Sequence, residues 1–70
     1  MEETSFSLTS EYIELIKLLK LLNLVESGAD AKFVVEQGLV ECNNEIEFRK
    51  RKKLRAGDVV IFNNNRINIC

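Results

Sequence analysis

The apolar residues of this 70-residue chain keep a helical period up to Gly38 and a strand-like pattern after it. Tyr12, Leu15, Ile16, Leu19 and Leu22 recur at steps of three and four, which lines them along one stripe of an α-helix. Lys17 and Lys20 fall on the opposite side. Beyond Gly38 the segments 39–42, 45–48, 59–62 and 66–69 are short, apolar or alternating, and separated by Asn- and Gly-containing turns. Helices followed by strands in this order predict an α+β domain, with two short helices packed on a small, mostly antiparallel sheet.

The joints between these segments are as legible as the segments. Phe6-Ser7-Leu8 alternates like a short strand, and Thr9-Ser10 offers caps for a first helix running from Glu11 to Asn23. Leu24-Val25 then carries the chain over an apolar corner. Ser27-Gly28-Ala29-Asp30 reads as a capping box, in which Ser and Asp each satisfy the other's free amide. The second helix is expected to run to about Gln37, bury Ala31, Val34 and Val35, and end at Gly38 in a left-handed conformation. Asn43-Asn44 suits a hairpin turn, while Ala56-Gly57-Asp58 and Asn63-Asn64-Asn65 mark two more. The chain has no proline and shows no repeat, so residues 1–70 are read as one domain.

Charge is segregated along the chain. The formal net charge is only -1, yet residues 1–48 hold three basic residues, Lys17, Lys20 and Lys32, against ten acidic ones. Residues 49–70 hold seven basic residues against the single acid Asp58. Six of those seven are Arg49, Lys50, Arg51, Lys52, Lys53 and Arg55. Positive charge at that density raises the local concentration of polyanions, among which nucleic acid is the commonest in a cell. Two other readings stand beside this one: a solvated basic loop, and a protein-interaction module that docks its basic run on an acidic partner.

Several function classes lack their residues here. Without histidine the usual general base at neutral pH is missing, and no Ser or Cys has an evident activator. The three glycines are scattered and form no phosphate loop, so no enzyme activity and no cofactor are expected. Cys42 and Cys70 alone cannot complete a zinc site, and no other metal is expected; Cys42 alternates with Val40 toward the core. The apolar cluster from Ile13 to Val25 is broken by Glu14, Lys17, Lys20 and Asn23, which argues against a membrane span. Met1-Glu2-Glu3 does not open like a secretion signal, and a cytoplasmic protein with reduced thiols is expected.

Ser27, Ala31, Lys32, Val35, Gly38, Val40 and Asn43 stand at the spacing of a known signature, and Ala56-Gly57-Asp58-Val59-Val60 adds a closing turn and strand. Together they resemble the S-four-type RNA-binding domain with its αL motif. The segment Glu26–Ala29 and the run Arg49-Lys50-Arg51 look like the small stand-alone branch, the YbcJ-like proteins. The resemblance spans about residues 12–62. It implies that the second helix and the following hairpin face structured RNA, ribosomal or transfer RNA, with the ribosome as one place of binding. Transferred to this chain, it implies contacts from Ser27, Lys32 and Asn43.

Gly28, Phe33, Glu36, Leu39 and Glu41 depart from the pattern, standing where many members carry basic or polar residues. The run Arg49, Lys50, Arg51, Lys52, Lys53 and Arg55 is expected to compensate by neutralising several phosphates. One continuous positive patch joining that run to Lys32 is therefore expected, with Glu2, Glu3, Glu11 and Glu14 lying elsewhere. Ser27 is first a helix cap, and Asn43 is first a turn residue. Phe33 falls off the buried stripe of its helix; it is expected under a cover of Phe6 and Leu8, the alternative being a stacking platform for a base.

Overall fold

In the computed structural model, which describes residues 1–70, the chain runs through β1 (Glu2–Phe6), β2 (Ile13–Glu14), α1 (Leu15–Leu21), α2 (Gly28–Glu36), β3 (Val40–Cys42), β4 (Glu45–Ile46), β5 (Lys53–Leu54), β6 (Val59–Phe62) and β7 (Asn65–Ile69). Five strands form one sheet in the order β1-β7-β6-β3-β4, and β2 pairs with β5 in a separate two-stranded ladder. All pairings are antiparallel except β1 with β7. The expected α+β architecture is the one observed.

Alternation sets the inner face of the sheet. Val40, Cys42, Val60, Phe62, Ile67 and Ile69 are buried at every second position of β3, β6 and β7. Leu15, Leu18 and Leu19 of α1 and Ala31 and Val35 of α2 close over that face, all fully buried. No charged or polar residue lies in this core. The hairpins form where asparagines stand in pairs. Asn43 and Asn44 have φ of 52° and 71°, and Asn63 and Asn64 have 49° and 65°. Two successive left-handed residues match the right-handed twist of the flanking strands.

The helix ends follow local rules. Ser27 Oγ accepts from the Asp30 amide at 3.1 Å, a cap contributing about 1 kcal/mol. The reciprocal half of the expected box, from the Asp30 carboxylate back to the Ser27 amide, is not formed. At the other end Gly38, with φ 74°, donates to Val35 O, and Leu39 donates to Val34 O. That pair of bonds satisfies the last carbonyls of α2. Asn23, with φ 57°, ends α1 by the same arrangement, its own amide reaching Lys20 O and that of Leu24 reaching Leu19 O.

The amino-terminal third departs from the expectation. The first strand is Glu2–Phe6 rather than 6–8, in register with Asn65–Ile69. Its residues before Phe6 are all exposed, so no apolar period marks it. The first helix starts at Leu15, not Glu11, and no side chain caps it. Instead the Leu15 amide donates to Lys52 O at 2.9 Å and the Ile16 amide to Lys50 O at 3.2 Å. Backbone from the distant basic segment thus satisfies first-turn donors that Thr9 or Ser10 was expected to serve. Residues 13 and 14 pair with Leu54 and Lys53, and Tyr12 consequently lies outside the helix and outside the core.

Candidate nucleic-acid interface

The basic run is a structured segment. Lys52 N donates to Arg49 O across a tight turn, with Lys50 and Arg51 at its tip. Lys53 and Leu54 form β5, and Leu54 is fully buried as part of the core. Together with the two carbonyls that cap α1, these contacts hold the backbone of residues 49–54 against the fold. The charged side chains point outward from it, and Arg49, Arg51, Lys52, Lys53 and Arg55 line one shallow surface depression that contains no acidic or apolar residue.

Two of the six cations are already partnered. Arg49 donates through Nε and Nη2 to both carboxylate oxygens of Glu47, at 2.8 and 3.0 Å. The Arg49 side-chain bond holds the Glu47 carboxyl below its ordinary value against the opposing effect of burial, with help from the Arg49 backbone amide. Lys50 Nζ donates to Glu36 Oε2 at 2.9 Å. Arg51, Lys52, Lys53 and Arg55 form no ion pair. Lys53 Nζ and the Arg55 guanidinium instead lie 5.0 and 5.6 Å from the centre of the Tyr12 ring, cation–π contacts that orient both side chains.

The other expected contacts sort differently. Ser27 is committed to its cap through the oxygen, leaving its hydroxyl proton free to donate. Lys32 is exposed on α2, one turn before Glu36 on the same side of the helix. Glu36, bonded to Lys50, thus sets a carboxylate one turn from Lys32, where an uninterrupted positive patch was expected. Asn43 uses both ends of its amide within the protein. Nδ2 donates to Asp58 Oδ1 at 3.1 Å, and Oδ1 accepts from the Val59 amide at 3.0 Å. The second Asp58 oxygen accepts from the Arg55 amide at 2.8 Å, so Asn43 tethers the hairpin turn to the end of the basic segment.

Glu14 is not remote from the basic residues, as it was expected to be, because it is the ladder partner of Lys53. Phe33 is 58% exposed, so the expected cover by Phe6 and Leu8 is absent, both residues packing against the core instead. Phe48 is also exposed, directly before Arg49, and one edge of its ring lies against Gly38. Neither Phe48 nor Tyr12 is distinguished locally from a core aromatic. Both stand just outside a short strand, Tyr12 before β2 and Phe48 after β4, and both are exposed.

This constellation, an αL helix pair followed by a hairpin and a basic loop on an α+β sheet, defines a small S4-like module. Residues 6–70 match the model of the S4 domain, and the chain belongs to the S4-domain family. It is 40% identical over 58 residues to YbcJ of Escherichia coli strain K12, which is named as a candidate RNA-binding protein, with 83% of each chain covered. It is 39% identical over 54 residues to RlbA of Bacillus subtilis strain 168, named as a probable ribosome maturation protein, with 77% of this chain and 76% of the relative covered. The solution structure of E. coli YbcJ, described as revealing an αL motif involved in RNA binding, superposes with a TM-score of 0.71. That match covers 94% of this chain and 85% of the other at 39% identity.

Proposed function

We propose that this protein binds structured RNA, ribosomal or transfer RNA, through the loop that carries Arg49, Lys50, Arg51, Lys52, Lys53 and Arg55. The observation behind this reading is the all-basic depression on a pinned backbone, with four cations that form no ion pair. A fixed spacing of charges can match a spacing of phosphates, so the loop selects shape more than sequence. Arg51, Lys52, Lys53 and Arg55 make the principal phosphate contacts. Arg49 and Lys50 exchange a carboxylate for a phosphate and contribute less each. Lys32 and the Ser27 hydroxyl extend the contact along α2, while Asn43 supports it by holding the hairpin. The relative named for ribosome maturation speaks for ribosomal RNA within this proposal, and a cytoplasmic place of action is part of the same proposal.

Salt dependence tests this. Neutralising about four phosphates gives a log-log slope of affinity against salt of roughly -3 to -4. Arg51→Gln with Lys52→Gln should flatten that slope by roughly 1.5 to 2 and weaken different structured RNAs by similar factors. A double variant that keeps both slope and affinity would mean that the loop is merely solvated and that the phosphate contacts lie elsewhere, at Lys17, Lys20 and Lys32.

A further inference from the structure

Between the amino-terminal arm and α1 lies a half-open groove of about 630 Å³, within the range of small-molecule sites. Phe6, Leu8, Ile13 and Leu21 supply apolar walls, and Tyr12 forms the side nearest the basic loop. The arm is held in place, since Leu8 N donates to Cys70 O, Cys70 N to Phe6 O, and Ser10 Oγ to Tyr12 O. The groove therefore exists before any ligand arrives. Its polar rim holds Glu14 and Lys17, neither of which forms an ion pair.

Tyr12 is shared between this groove and the basic depression. Lys53 and Arg55 line the depression and lie over the ring, yet neither lines the groove. A ligand with a flat, mostly apolar ring whose edge carries donors and acceptors, joined to an anionic group, matches that juxtaposition. We infer that the groove receives one unpaired nucleobase of the bound RNA, while Lys53 and Arg55 hold the adjoining phosphate. The base stacks beside Tyr12 and the apolar walls. The Glu14 carboxylate accepts from an exocyclic amino group, and the Lys17 ammonium donates to a ring nitrogen or carbonyl. The inference rests on the RNA reading above and adds to it a preference for RNA with an extruded nucleotide over continuous duplex.

Three RNA hairpins of one stem sequence separate the alternatives: fully paired, with a single bulged nucleotide, and with an abasic residue at the bulge. The base-bearing bulge should bind roughly 5- to 150-fold more tightly than the abasic one, the range for stacking one base. Tyr12 is the single tyrosine and tryptophan is absent, so intrinsic emission reports this ring alone. It should be quenched by the base-bearing bulge beyond the effect of the abasic RNA. Tyr12→Leu should abolish the preference and leave the salt slope intact, whereas Arg51→Gln with Lys52→Gln should weaken all three RNAs alike. Equal affinity and equal quenching for the base-bearing and abasic bulges, with a steep salt slope, overturns the groove assignment and leaves the RNA reading standing. Binding without salt dependence overturns both. If Tyr12→Leu fails to fold, the quenching contrast in the unaltered protein decides.

Discussion

Asn43 offers the sharpest separation of a structural role from a binding one. Its amide joins the Val59 backbone and the Asp58 carboxylate, and its own backbone sits at φ 52°. Asn43→Ala deletes two exposed hydrogen bonds, each contributing about 0.5 kcal/mol at the low end of the usual range. It also forces a Cβ-bearing residue without a local hydrogen bond into the left-handed region, at a further cost of about 1–2 kcal/mol. The expected loss is about 2–3 kcal/mol, or roughly 10–20 °C in Tm for a domain of this size. Asn43→Gly removes the same bonds but not the backbone compatibility, so it should lose only about 1 kcal/mol. Thermal melts by circular dichroism measure both. At temperatures where each variant is folded, the slope of RNA affinity against salt should equal that of the unaltered protein. An Ala variant that melts with the parent, or a Gly variant no better than Ala, would refute the reasoning. An Ala variant of full stability with lost affinity would make Asn43 a direct RNA contact.

Gly38→Val should cost at least about 2 kcal/mol, since it combines φ 74° with a Cβ only 3.2 Å from the Phe48 ring; urea melts that coincide with the parent would contradict this. Because folding lowers the Glu47 pKa, the deprotonated form is favoured by the native state, and its stabilisation is complete above the ordinary value of 4.5. That contribution should start to fade as pH falls below 4.5 and be lost as pH falls through the lowered native value, and Glu47→Gln should flatten the acid limb of a stability–pH curve measured by chemical denaturation. Arg49→Gln should flatten the salt slope of RNA binding by less than Arg51→Gln does, because Glu47 already engages Arg49; equal effects in a salt titration would show that RNA displaces Glu47 freely.

The S-four-type resemblance read from the signature around α2 is matched by the family and by the related solution structure. What made α2 and its hairpin readable is that each device there is local. The Ser27 cap, the Gly38 terminus, the Asn43-Asn44 turn and the alternation of Val40 and Cys42 all operate within about five residues. The same holds for β6, the Asn63-Asn64 turn and most of β7.

Tertiary structure decided whatever depended on a distant partner. The polar β1 is a strand only because β7 lies beside it. Helix α1 begins at Leu15 because the carbonyls of Lys50 and Lys52 cap it, overriding the local offer of Thr9 and Ser10. The basic run was visible as charge and its Arg49–Glu47 pair is local, but the Lys50–Glu36 pair and the cation–π contacts with Tyr12 required α2 and the β2–β5 ladder to be in place. Periods and turn residues act through neighbouring backbone, so the chain by itself determined the type and order of most elements. The β1–β7 register, the replaced cap of α1 and the partners of Lys50 and Tyr12 join segments distant in sequence, where no local pattern records which groups will meet.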